Sequence, residues 1–251
     1  MRRALISIAL IAFFAAVVPG TAASPQKVAD AQQRREAIGH FRAGQELMSG
    51  EKFDRAAEEF QQAIAIDPLF TLAHYSLGQA HMNLQRYASA IKAFKDCIEA
   101  SRTLFGLAET NRFAVEKQRE DEIHEMRESV KRLHALGPGY ALRATRAEQQ
   151  LRDLETQKPS LGRGFQPPAE ALLSLGSAYF RIDERDQAEA EWRAAIEVNP
   201  RLGEAHNNLA VILMQTGRFD DAEREIKAAE KAGFRVNPQL KSDLKQAAGR
   251  R

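Results

Sequence analysis

The fold is decided by residues 171–200, ALLSLGSAYFRIDERDQAEAEWRAAIEVNP, whose pattern recurs in residues 73–100, AHYSLGQAHMNLQRYASAIKAFKDCIEA. Both stretches contain a Leu-Gly pair, a later Ala, an aromatic residue four positions after that Ala, and an apolar helix end. Self-similarity of this kind is typical of proteins that stack copies of one small unit. Because good helix formers dominate both stretches, each unit is predicted to be helical.

The shared pattern resembles the tetratricopeptide repeat, a helix pair of 34 residues. Its frame fits four times, with repeats beginning at Ala37, Thr71, Ala169 and Gly203 and covering residues 37–102 and 169–236. In the resemblance, a small residue of the first helix faces a bulky residue of the second, and the bulky positions are Phe60, Phe94, Trp192 and Ile226. The resemblance implies an all-α fold, a helical-repeat array that forms an α–α superhelix.

An insertion at residues 103–168 separates the second repeat from the third. Apolar residues with heptad spacing stand on both sides of a Gly-Pro-Gly turn: Ile123, Met126, Val130 and Leu133 before it, and Ala144, Ala147, Leu151 and Leu154 after it. The two sets mirror each other, so the sequence predicts an inserted antiparallel helical hairpin of the coiled-coil type. A Gly/Pro-rich linker at residues 158–168 then returns to the repeats. Whether the two repeat pairs form one superhelix stays open.

The N-terminal residues 1–23 have the pattern of a secretory signal peptide, with two arginines, an apolar run from Ala4 to Val18, and small residues up to Ala23. Cleavage is predicted after Ala23. The apolar run is shorter than the roughly 20 residues that a membrane-spanning helix needs, so a membrane link is expected only through an uncleaved signal. The protein is therefore expected to be exported and either periplasmic or secreted. Residues 24–36 form a lead-in, and residues 237–251 are predicted to be a capping helix.

Composition and motifs argue against nucleic-acid binding and catalysis. The chain has 36 basic and 34 acidic residues, which are interspersed along predicted helices, as on solvated helix faces. Cys97 is the only cysteine, so it forms no internal disulfide and is predicted to be a buried apolar residue. Two Ser-x-x-Lys pairs, at 49–52 and 242–245, lack the other motifs of acyl enzymes. We therefore expect no enzyme activity, no metal and no cofactor.

Three of the six histidines share one repeat position, the fourth residue of the repeat. They are His40, His74 and His206. Because the repeat itself explains their spacing, they are predicted to be packing residues and not metal ligands.

The resemblance places a ligand groove on the concave face of the array, lined by the first helix of each repeat. The lining at the matching positions is mainly apolar, aromatic and amide-bearing. The candidate groove residues are Phe41, Gln45, Met48, Tyr75, Gln79, Met82, Phe180, Asn207 and Met214, with Ser49, Leu72, Asn83, Leu173, Ser177, Arg181, Val211 and Gln215 beside them. They lack the set of Lys, Arg and Asn with which chaperone-binding relatives hold a terminal carboxylate. An apolar helix or an extended peptide is the expected ligand.

The resemblance and the signal together imply an adaptor of the bacterial cell envelope that binds a segment of a partner protein. Three alternatives stay open. The inserted hairpin or a neighbouring repeat covers the groove residues; the protein is a self-associating structural protein that forms homo-oligomers through the hairpin or the groove; or it is an enzyme with an unrecognised site.

Overall fold

The computed structural model describes residues 28–110, 112–156 and 165–248, and these residues form eleven α-helices and no strand. Eight helices make four antiparallel pairs: α1 Ala31–Ser49 with α2 Phe53–Ile66, α3 Thr71–Asn83 with α4 Tyr87–Thr110, α7 Ala169–Arg181 with α8 Arg185–Val198, and α9 Gly203–Gln215 with α10 Phe219–Lys231. The other three are α5 Arg112–Ala135, α6 Ala141–Thr156 and α11 Pro238–Ala248. The predicted all-α repeat array is confirmed.

The helices of three repeats begin where the 34-residue frame places them, because α3, α7 and α9 start at Thr71, Ala169 and Gly203. The first helix differs, since α1 begins at Ala31, six residues before the predicted start of the repeat. Asp30 explains the extension. Its side chain accepts hydrogen bonds from the backbone N–H groups of Gln32 and Gln33, and the Gln33 side chain accepts one from the Asp30 N–H. This reciprocal capping box stabilises an earlier helix start.

Each repeat is held together by a small residue packed against a large one, as the sequence predicts. A Cβ atom built on Gly78 would lie 2.4 Å from a ring carbon of Phe94, so only glycine fits there beside the buried ring. The equivalent pairs are Gly44 with Phe60, Gly176 with Trp192, and Ala210 with Ile226. The fourth repeat thus adds a methyl group on one helix and has a smaller side chain on the other.

The two repeat pairs form one continuous array, which answers the question that the sequence left open. Helix α4 packs directly against α7, and Phe94 and Ala90 share a buried cluster with Leu175 and Ala178. The insertion leaves the array and returns to it at nearly the same place, because the rings of Phe105 and Phe165 lie 5.9 Å apart. The array therefore stacks as if the insertion were not present.

Helices α5 and α6 of the insertion lie side by side in opposite directions. His134 Nε2 lies 2.6 Å from Glu148 Oε1 near the turn, and Arg127 Nη2 lies 2.6 Å from Glu155 Oε1 further along. The apolar heptad residues face inward, where Met126 and Ala147 are buried. The same cluster contains buried residues of the first two repeats, so the two helices are folded back onto the array.

Burial explains the roles of Cys97 and of the last helix. Cys97 is buried, and burial raises the pKa of its thiol, so it remains an uncharged packing residue. The last helix, α11, covers the end of the array with Leu244, which joins the cluster of repeats three and four.

In the part of the chain that the structure describes, no helix has both the length and the apolar character to cross a membrane. The predicted signal peptide lies outside the described residues.

Candidate ligand groove

The concave surface of the first two repeats is covered by α5, which lies against α1 and α3. Arg42 Nη2 lies 2.6 Å from Glu125 Oε2, and Arg34 Nε lies 3.0 Å from Asp121 Oδ2. On α3, the Thr71 hydroxyl donates a hydrogen bond of 2.9 Å to Glu122. We call this part the filled groove, since α5 of the same chain occupies it.

The face of α5 in the filled groove is polar and buried. Gln118, Glu122, Glu125 and Ser129 are all less than 9 % exposed, and they are spaced by four, three and four residues on a face of α5 next to its apolar one. Three of them have specific partners: Glu125 lies between Arg42 and Arg132, Glu122 accepts from Thr71, and Gln118 Nε2 donates to the Leu69 carbonyl at 3.1 Å. Burying charged groups is costly unless they are paired, so these contacts keep α5 in place.

Two carboxyl groups at the contacts of the insertion with the array have strongly altered acidity. Burial raises the pKa of Glu122 to about 8, against the hydrogen bond from Thr71, which lowers it. Burial and the neighbouring Asp153 of α6 raise the pKa of Glu170 on α7 to about 9. At neutral pH Glu170 is therefore largely protonated and carries no charge.

The concave surface of repeats two to four contains a cavity of about 670 Å³, which we call the open groove. One wall is the array, and the other includes Arg146, Gln149 and Gln150 of α6. The lining combines apolar and aromatic groups with amides and hydroxyls, and its array residues include Tyr75, Gln79, Met82, Asn83, Ser177, Phe180, Arg181, Asn208 and Val211. A second cavity, of about 610 Å³, lies between the first two repeats and the hairpin end, and it shares Tyr75 and Gln79 with the open groove.

Six of the nine predicted groove residues line these cavities. Tyr75, Gln79, Met82 and Phe180 line the open groove. Gln45 and Met48 line the second cavity, where Gln45 accepts a hydrogen bond of 2.8 Å from Arg132 of α5. The predicted residues therefore divide between an open surface and a surface that the hairpin already contacts.

The other three predicted residues lie elsewhere. Phe41 is fully buried, with its ring centroid 5.0 Å from that of Phe70, so it is a core residue of the first repeat. Met214 packs against the core of the last two repeats. Asn207 lines neither cavity, whereas the next residue, Asn208, lines the open groove. These positions differ because small changes in helix packing turn neighbouring positions toward the seam between helices or toward the groove.

Sequence reasoning missed the wall that α6 contributes. Arg146, Gln149 and Gln150 belong to the insertion, and no repeat position predicts that they face the groove. For the contact of α5 with the array, by contrast, one signal was present. The polar residues of α5 have the same three–four spacing as its apolar residues, which indicates a second face able to contact a partner.

The polar groups of the region serve structure. Gln79 Nε2 donates a hydrogen bond of 2.7 Å to the Tyr75 hydroxyl, and burial raises the pKa of Tyr75 to about 12, so the hydroxyl stays protonated. Two of the three repeated histidines tie helices to turns: His74 Nε2 lies 2.9 Å from the Pro68 carbonyl, and His206 Nε2 lies 3.1 Å from that of Pro200. The third, His40, instead has its Nδ1 2.8 Å from Glu59 Oε2. Within the described ranges, no three His, Cys, Asp or Glu residues come together as a metal site.

Comparisons with known proteins agree with the repeat frame. The family model described as Tetratricopeptide repeat matches residues 41–103 and 173–233. Among solved structures, PilW, a widely conserved type IV pilus biogenesis factor, is 15% identical over 85% of this chain and 86% of its own, with a TM-score of 0.40.

Two further structures are similar over much of their length. TTC0263, a thermophilic tetratricopeptide-repeat (TPR) protein from Thermus thermophilus, is 21% identical over 84% of this chain and 98% of its own, with a TM-score of 0.35. YrrB, a TPR protein with an unusual peptide-binding site, is 16% identical over 86% and 95%, with a TM-score of 0.30. No curated protein sequence matches this chain.

Proposed function

Because the chain is a tetratricopeptide-repeat protein, we propose that it is a non-enzymatic interaction scaffold that binds a segment of a partner protein in the open groove. The observation that carries the proposal is the cavity of about 670 Å³ on the concave face, beside a groove that α5 fills. Its side chains suit a peptide: Met82 and Phe180 offer adaptable apolar contact, and the amide of Asn83 offers a hydrogen-bond donor and acceptor.

The proposed setting is the bacterial cell envelope, and the support is the signal-like sequence of residues 1–23. N-terminal sequencing of the protein from fractionated cells tests it. We expect Ser24 as the first residue of the chain in the envelope or in the medium. A chain that keeps Met1 and fractionates with the cytoplasm would contradict this setting.

The groove is tested by filling it. Ser177 lines the open groove, and within the described residues its hydroxyl donates one hydrogen bond, to the Leu173 carbonyl of the same helix. The array therefore does not depend on this side chain. Ser177→Trp should therefore obstruct ligand entry without unfolding the protein. Ser89→Trp is the matched control, because Ser89 is an exposed residue of α4 away from both cavities.

Affinity capture from envelope extract, followed by mass spectrometry, compares these two variants with the unaltered chain. We expect a set of proteins that the unaltered chain and Ser89→Trp retain and that Ser177→Trp loses. Retention of the same proteins by all three would reject the open groove as the binding site.

A second candidate function is self-association through the end of the hairpin. Leu136 and Leu142 are 49% and 69% exposed there, and exposed apolar groups favour association. Sedimentation at several concentrations tests it, with Leu142→Gln as the variant. A monomer at every concentration excludes this function, whereas a dimer that Leu142→Gln weakens supports it.

A further inference from the structure

We infer that the segment held in the open groove is an extended peptide that presents an acidic side chain to Arg181 and apolar side chains to the groove wall. The inference rests on the proposed function, because it names the class of partner for the same groove. It follows from the charges of the lining, from the way the chain fills its other groove, and from the apolar groups beside Arg181.

The arginines of the open groove differ in whether the chain compensates their charge. Two arginines line it, Arg146 and Arg181. Arg146 Nη2 lies 3.1 Å from Glu204 Oε1 and 3.2 Å from Oε2, so this charge is compensated within the chain. Arg181 is exposed in the last turn of α7, and among the described residues it has no acidic partner. The groove thus presents one guanidinium that is available to a ligand carboxylate.

The lining of the open groove also contains two acidic groups, Glu170 and Glu204. Glu204 is held by Arg146. Glu170 is half-buried and largely protonated at neutral pH, because burial and Asp153 raise its pKa. Neither of these two groups is paired with Arg181, so its guanidinium is available to a carboxylate of the ligand.

In the filled groove, arginines of the array hold carboxylates of another segment of the chain. Two arginines of α1 hold two carboxylates of α5: Arg34 holds Asp121, and Arg42 holds Glu125. The array therefore already holds carboxylates of a second segment, α5, through two arginines on α1. Arg181 likewise lies on the first helix of a repeat, the third, although at a different repeat position from Arg42, and it lines the cavity of the open groove.

Apolar groups and amides line the open groove beside Arg181, and they suit the other groups of the proposed ligand. Met82, Phe180 and Val211 are half-buried and line the same cavity as Arg181. They bury more apolar surface if the ligand supplies apolar side chains. The amides of Asn83 and Asn208 line the same wall, where the polar backbone of an extended segment needs hydrogen bonds.

The inference is tested with an immobilised library of hexapeptides that carry acetylated N-termini and amidated C-termini, so that only side chains supply charge. The full chain is applied, and the residues enriched at each position are determined. We expect peptides that combine Asp or Glu with apolar residues. With Arg181→Glu the charge preference should reverse to Lys or Arg. With Arg185→Glu, an exposed position outside both cavities, the preference for acidic residues should remain.

Affinity for one selected acidic peptide gives the magnitude. Arg181→Gln should weaken binding by about two- to fivefold, the range for a solvent-exposed ion pair, and it should reduce the dependence of affinity on salt. Selection without acidic residues, a preference that Arg181→Glu leaves unchanged, or retention of no peptide at all overturns the inference. Failure of the proposed function itself shows separately, as envelope proteins that Ser177→Trp retains as well as the unaltered chain does.

Discussion

Each repeat depends on one close contact between a residue with little or no side chain and a bulky one. At Gly78 the ring of Phe94 occupies the space that a Cβ would need, and the ring is fully buried, so it has little room to move. The fourth repeat reaches the same packing with Ala210 and the smaller Ile226. Volume at one position is therefore balanced against volume at the other.

Gly78→Ala should lower the free energy of unfolding by about 1–3 kcal/mol, because overpacking outweighs the gain of about 1 kcal/mol in helix propensity. The cost should be smaller when Phe94→Ile is present, as in the fourth repeat. Chemical denaturation of the two single variants and the double variant measures this coupling.

The control for this cycle is Gly39→Ala, since Gly39 is exposed in α1 and a Cβ there would meet nothing within 4 Å. That variant should be as stable as the unaltered chain or more stable by up to about 1 kcal/mol. Equal effects of Gly78→Ala and Gly39→Ala would show that the Gly78–Phe94 contact imposes no constraint.

At the scale of the element, α5 is unusual because it buries two different faces. Its apolar residues, such as Met126, face α6, whereas Glu122 and Glu125 face the array. Glu125 has two arginine partners, whereas Glu122 is hydrogen-bonded by uncharged groups, the hydroxyl and backbone N–H of Thr71 and the side chain of Gln118. Burial of Glu122 among these uncharged groups therefore favours its protonated form.

The contribution of Glu122 to stability should fall as pH rises. In the unfolded chain its pKa is about 4.5, and in the folded chain it is about 8. Stability from this group is fully present below pH 4.5 and is lost progressively up to about pH 8, since the unfolded chain gives up the proton first. Glu122→Gln should remove this loss and raise the free energy of unfolding at pH 8.5 by about 1–3 kcal/mol, with little change near pH 4.5.

Unfolding measured from pH 4.5 to 8.5 checks this prediction, and Glu120→Gln on the exposed side of the same helix is the control. A difference between Glu122→Gln and the unaltered chain that stays constant with pH would contradict the raised pKa. The control variant should follow the unaltered chain closely throughout.

At the scale of the whole molecule, the insertion is an addition to an array that is continuous without it. Helices α4 and α7 make the joint directly, and the chain leaves and returns where Phe105 meets Phe165. Arg102 lies over the Phe165 ring at 4.8 Å, which adds a cation–π contact at the same point. A short connection can therefore replace the insertion.

Replacing residues 107–164 with a short Gly/Ser linker should leave a folded array of lower stability, because the joint between α4 and α7 remains while the filled groove loses its cover. Circular dichroism should show high helicity and one cooperative transition at a lower Tm. Adding Ala178→Asp, which places a carboxylate in the buried joint, should abolish that transition. A deletion variant that is unfolded on its own would mean that the array needs the hairpin.

The repeats could be predicted from the sequence, because each small–large contact lies within 34 residues and its spacing is visible in the chain. It also indicated the apolar faces of α5 and α6, since hydrophobic spacing encodes burial against an apolar surface. Three features could be read only from the packed helices: α5 fills one half of the groove, Phe41 is a core residue, and α6 forms a wall of the open half. The reason is physical: a polar helix face looks solvated in sequence, and it is buried here only because partners far along the chain, such as Arg42 for Glu125, compensate its charge.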